Sequence, residues 1–130
     1  MKFSKDEPGF EHGSTFDLNK EVESDELKED LGRRSKMLAK YPEFKIVLIT
    51  MNAGSRWDDH KTNSRISVQV LRGQIRFHTP NKSFELCPGQ LIILDPAVLH
   101  SVDALEKSAF VLTLAGTAGS RDSSGLVLPN

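Results

Sequence analysis

Cysteine, aromatic residues and any surplus of one charge are all scarce in this chain of 130 residues. Each shortage closes off a class of protein. A single cysteine, Cys87, leaves no internal disulfide to form. Lys and Arg number 17 against 18 Asp and Glu, so there is no basic surface to neutralise a phosphate backbone. With one Trp, one Tyr and seven Phe there is also little to stack on bases, and nucleic acid is not expected as a partner. No apolar run approaches the roughly 18 residues that a spanning helix requires, so no membrane partner is expected. The opening MKFSKDEPGF lacks the apolar centre of a secretory signal, and the expected location is the cytoplasm.

What is present suits one soluble domain, with 38% hydrophobic and 27% charged residues. A folded chain of this length buries about two-thirds of the surface its unfolded form exposes, so any metal would serve function rather than folding. Residues 1–32 read as an N-terminal arm with a short helix, predicted over Ser24 to Leu31 with Ser24 as its cap. Phe3, Phe10 and Phe16 make the arm apolar enough to pack on the domain or on a second subunit, and a homodimer is expected. Residues 116–130 read as a Gly- and Ser-rich loop followed by Leu126-Val127-Leu128, which can add a last edge strand.

Between them, over 33–115, short runs of Ile, Val, Leu and Phe alternate with Gly, Pro, Asn and Asp, the pattern of an antiparallel all-β sandwich or barrel. Eight strands are predicted, with Asp58 to Asn63 left as a polar loop. In Ile66-Ser67-Val68-Gln69-Val70 strict alternation turns Ile66, Val68 and Val70 inward. Arg72-Gly73-Gln74 reads as a tight hairpin. The expected core is Ile46, Leu48, Val68, Val70, Ile75, Phe77, Leu91, Ile93, Phe110 and Leu112. His78 has the opposite parity to Phe77 and should face out. Arg33 and Arg34 read as a solvated pair or an intersubunit ion pair, and Cys87 as a structural thiol.

Two histidines stand where they can converge. His60 precedes the strand at Ile66, and His100 follows the Pro96 turn and opens a later strand. Gly54, five residues, His60, then Ile66, six residues and Gly73, together with Leu86-Cys87-Pro88-Gly89-Gln90, Pro96 and His100, resemble the two motifs of a small single-domain cupin of the RmlC-like, cupin 2 conserved-barrel type. The resemblance runs from about Arg33 to Leu114. It implies a double-stranded β-helix, or jelly-roll barrel, with His60 and His100 at two of the four metal-ligand positions of that family.

At the other two positions the family's second histidine is replaced by Thr62 and its glutamate by Ile66. A first-row metal needs at least three imidazole, thiolate or carboxylate donors. A hydroxyl and an aliphatic wall supply neither the charge nor the lone pairs, so no cofactor is expected unless Asp58, Asp59 or Asn63 turns in to replace a donor. Three functions follow. The first is a barrel that binds a small, partly apolar molecule through His60, Thr62, Ile66, Val68 and His100. The second, implied by the resemblance, is a metal-dependent dioxygenase or isomerase with His60 and His100 as ligands to Fe, Zn, Mn or Ni. The third is a structural or regulatory dimer. The donor count favours the first, and no catalytic residue is assigned.

Overall fold

The computed structural model describes residues 12–26 and 32–116. One helix, α1 (Leu18–Glu26), precedes nine strands: β1 (Arg33–Tyr41), β2 (Phe44–Met51), β3 (Arg56–His60), β4 (Arg65–Arg72), β5 (Ile75–His78), β6 (Ser83–Leu86), β7 (Leu91–Leu94), β8 (His100–Ala104) and β9 (Ser108–Ala115). They form two antiparallel sheets, in the orders β1-β2-β9-β4-β7 and β3-β8-β5-β6. The inner faces of the two sheets enclose one apolar core, in which Val47, Ile49, Val70, Ile75, Phe77 and Phe110 are completely buried. The chain is therefore all-β in the jelly-roll manner, as its strand pattern predicts.

The helix lies earlier than expected. Its cap is Asp17, whose Oδ1 accepts from the Lys20 N–H at 3.2 Å, and Ser24 sits inside it rather than before it. Leu18 and Val22, four apart, make the buried stripe, whereas Leu27 and Leu31 lie outside the described residues. Phe3 and Phe10 also lie outside them, as does Leu126-Val127-Leu128. The helix packs on the outer face of the five-stranded sheet, with Val22 against Leu48, Ala109 and Val111. Asp25, nearly buried, accepts a hydrogen bond from the Thr50 hydroxyl and pairs with Arg34 at 3.7 Å. Arg34 thus has an ion-pair partner within the chain.

Parity corrects part of the expected core. Ile46 and Leu48 are covered, but by α1 on the outside of the barrel, while Val47, Ile49 and Met51 fill its interior. Leu91 and Ile93 are 51% and 61% exposed; Ile92 and Leu94 face inward instead. Residues directly opposite in an antiparallel pair share a face, and Val68 stands opposite Ile92 and Ile66 opposite Leu94. The Leu91–Leu94 run has no alternation of its own, so its neighbour decides which side is in.

Arg72-Gly73-Gln74 is not a hairpin. β4 pairs with β7 and β9, while β5 pairs with β6 and β8, so the turn is a corner passing from one sheet to the other. Gly73 is required there. Its φ is +79°, and a Cβ would come 2.3 Å from both the Lys107 carbonyl oxygen and Ser108 Oγ.

Candidate functional site

The segment read as a polar loop overlaps a ninth strand, β3, which runs from Arg56 to His60, and this strand builds the site. Trp57 stands opposite Val102 and His60 opposite His100, three steps along β3 against two along β8. The extra residue is a bulge, which breaks the alternation and brings Trp57 and His60 to the same inward side. Asp58 and Asp59 take up the difference and are exposed. Neither they nor the exposed Asn63 enters the barrel; Asp58 instead accepts from Arg56 Nε at 3.2 Å.

The result is a column of rings. The Arg33 guanidinium carbon lies 4.5 Å from the centre of Trp57. Trp57 stacks on His60 at 4.5 Å and 20°. His60 meets His100 edge to face at 4.1 Å and 64°, and His100 lies over Phe77 at 5.3 Å and 12°. Arg33 therefore caps the column rather than standing in water, and Trp57 is only 6% exposed. The single Trp three residues before His60, in a polar stretch, was the available signal for this column.

His60, Thr62, Ile66, Val68 and His100 all line one small cavity, closed off by Trp57, Phe77 and Phe110. Its volume is about 10 Å³, the space of one water-sized group. Apart from Thr62 and the two imidazoles its walls are apolar.

The tautomers of both rings follow from their backbone contacts. His60 Nδ1 is 2.9 Å from the Asp58 carbonyl oxygen, and His100 Nδ1 is 2.9 Å from that of Val98. A carbonyl only accepts, so each Nδ1 carries a hydrogen and each Nε2 presents a lone pair. Neither Nε2 has a hydrogen-bond partner among the described residues. Both rings are held neutral. Burial lowers the pKa of His60, opposed by the Asp58 carbonyl and reinforced by the Arg33 charge. Burial also lowers that of His100, to about 4, with the neighbouring His60 adding to the effect.

The donor set does not match a divalent transition metal. Thr62 is buried and its Oγ1 accepts from the Ser64 N–H at 3.2 Å, while Ile66 presents carbon where a carboxylate would stand. No group of three or more His, Cys, Asp or Glu suited to a metal occurs among the described residues.

On the opposite side of the four-stranded sheet, His78 points outward, with Nε2 2.8 Å from Asp103 Oδ2 and Nδ1 2.7 Å from Ser83 Oγ. Arg56 grips Asp103 with Nη1 at 2.8 and 3.0 Å and donates to Ser101 at 3.1 Å. Burial pushes the Asp103 carboxyl up, but the bonds from His78 and Arg56 outweigh it and hold the group below its ordinary value. Ser101 and Asp103 thus belong to the outer face, away from His100, and make no triad with it.

The fold matches solved cupin barrels. A conserved Streptococcus pyogenes protein of unknown function superposes with a TM-score of 0.68 at 19% identity, over 83% of this chain and 91% of that one. A cupin superfamily protein from Desulfitobacterium hafniense gives 0.65 at 14% identity, over 71% and 86%. An RmlC-like cupin from Shewanella frigidimarina gives 0.63 at 19%, over 66% and 78%. No protein-family model matches the sequence, and no curated protein does. The architecture is that of a small cupin jelly roll.

Proposed function

We propose that this barrel is a binding module for a small, neutral, largely apolar molecule that carries an N–H or O–H donor. One observation carries the reading: two imidazole lone pairs, both without a hydrogen-bond partner among the described residues, line a cavity whose other walls are almost wholly carbon. Buried acceptors left unmatched are costly, and a donor-bearing guest relieves that cost. Among the described residues no cation lines the cavity, since Arg33 lies beyond Trp57, so an anionic guest is disfavoured. In the conformation described the space of about 10 Å³ fits a single donor group such as water; a larger guest must displace the Trp57 ring.

The test is titration of the ¹⁵N-labelled protein with phenol, benzamide and benzoate. Phenol and benzamide should move the Nε2 resonances of His60 and His100 while benzoate leaves them in place. Equal response to all three, or to none, contradicts the reading.

A metal-dependent dioxygenase or isomerase is the second reading. It is favoured by the two Nδ1 to carbonyl contacts, the arrangement by which metal-ligating histidines are oriented. Against it stands the lack of a third donor at Thr62 and Ile66. Elemental analysis of protein purified without chelator separates the two, because near-stoichiometric metal lost in His60→Ala would favour the enzyme.

Homodimer formation is a separate part of the proposal, supported by the exposed Met37, Tyr41 and Phe44 about the first hairpin. Sedimentation velocity over a hundredfold concentration range tests it, and a monomer throughout overturns it.

A further inference from the structure

The two free edges of the five-stranded sheet are built differently. β1, at one edge, carries Arg33, Arg34, Lys36 and Lys40 and a register irregularity between Met37 and Ala39. Charged side chains and bulges of this kind keep an edge from pairing with another strand. β7, at the other edge, is Leu91-Ile92-Ile93-Leu94, uncharged and in regular register with β4. Its outward side chains Leu91 and Ile93 are among the most exposed large apolar groups described. Beside it opens a groove of about 710 Å³ between β7 and the β5–β6 hairpin, lined by Phe84, Ile92, Ile93, Val98, Leu99 and Pro80 among others. An apolar edge strand with no such guard invites a partner strand.

We propose that the partner is the chain's own segment Leu126-Val127-Leu128, added to β7 as an antiparallel sixth strand. Three observations favour it. First, β9 ends at Ala115, opposite Arg65 of β4, and Ile66 of β4 stands opposite Leu94. The chain therefore leaves the sheet at the end where β7 finishes. β9 and β7 are both antiparallel to β4 and so run the same way, and a segment turning back after β9 runs antiparallel to β7.

Second, the reach is sufficient. The distance from β9 past β4 and β7 to a new edge position is three strand spacings, about 14 Å. The residues 117–125 can extend to roughly 30 Å.

Third, the chemistry agrees. β7 is apolar on both faces, with Leu91 and Ile93 on one side and Ile92 and Leu94 on the other. Leu126-Val127-Leu128 is likewise apolar at every position, so either face of the added strand meets a matching surface.

Cys87, the only cysteine and exposed just before β7, is a ready probe site. A nitroxide attached there in the full chain should broaden the methyl signals of Leu126, Val127 and Leu128, unchanged on dilution with unlabelled protein of natural isotope composition. Hydrogen exchange should show the β7 amides that do not face β4 slowed at least tenfold, and that slowing should disappear in the Leu126→Ser/Leu128→Ser variant. Tail methyls left sharp, with fast exchange along β7, would mean an open edge and overturn the proposal. Protection that survives the double substitution and grows with concentration would mean that a second copy covers β7, and would overturn it equally.

Discussion

His60 and His100 are direct register partners across β3 and β8, with ring centres 4.1 Å apart, and each gives its Nδ1 hydrogen to the carbonyl two residues before it. The same local contact is thus made twice, on adjacent strands, and it turns both Nε2 lone pairs away from the backbone. Two neutral imidazoles in an apolar barrel make a polar site with no net charge. The site's response to protons, to lost packing and to added donors follows from that.

Stability should fall in acid. With the folded pKa of His100 at about 4 and the unfolded value near 6.5, the unfolded chain binds the proton first. Stability contributed by the neutral ring is fully present above about pH 6.5 and is lost as pH drops towards 4, by roughly 3 kcal/mol. The lowered pKa of His60 adds in the same direction. Urea midpoints measured from pH 7.5 to 4 should fall steeply in the wild type and more gently in His100→Phe. An unchanged slope in the variant contradicts the assignment.

Trp57 closes the barrel, so Trp57→Ala should cost roughly 3–5 kcal/mol, the usual range for removing a buried aromatic ring. The milder Trp57→Phe should keep the fold and leave more space above His60. Calorimetry reads the first effect; faster binding of phenol in the second variant reads the other.

Gly73→Ala should destabilise by about 2 kcal/mol or more, because the alanine meets both a positive φ and the Lys107 carbonyl at the corner between the sheets. Gly54→Ala, also at positive φ but with open space around it, should cost less. Equal losses in urea denaturation would show that the close approach at Gly73 does not matter.

Restoring donors should restore metal binding. In Thr62→His/Ile66→Glu the cavity gains an imidazole and a carboxylate, and affinity for Ni²⁺ should rise roughly a hundredfold or more over the wild type. Without metal the variant should be less stable, since it buries an unpaired carboxylate among Val68, Phe110 and Leu112. Calorimetric titration compares the two proteins, and equal affinities would mean that Thr62 and Ile66 do not limit the site.

Much of this arrangement is legible in the sequence, for reasons that also mark where the reading stops. Alternation at Ile66 to Val70 fixes the inner face of β4, and the spacing from Gly54 to His60 and on to Gly73 points to the cupin barrel. The same reading brings His60, Thr62, Ile66, Val68 and His100 to one cavity. β3 is hidden because Asp58 and Asp59 lower its strand character, and its bulge removes the alternation that would reveal it. β7 is visible as a strand, yet its four apolar residues carry no parity. Only pairing with β4, a contact distant in sequence, turns Leu91 and Ile93 outward. The corner at Gly73 and a hairpin share one local signature, since both need a glycine at positive φ; the sheet each flanking strand joins tells them apart. The helix moved because Asp17 is as good a cap as Ser24 and the apolar pair Leu18 and Val22 has a sheet face to cover.

The central claim, that His60 and His100 are both neutral with Nδ1 protonated and Nε2 bare, is open to a direct measurement. A long-range ¹H–¹⁵N correlation spectrum of the labelled protein at pH 7 should give each ring one protonated nitrogen, assigned to Nδ1, and one unprotonated nitrogen, assigned to Nε2. A protonated Nε2 on either ring, or an imidazolium pattern on both, would contradict the account.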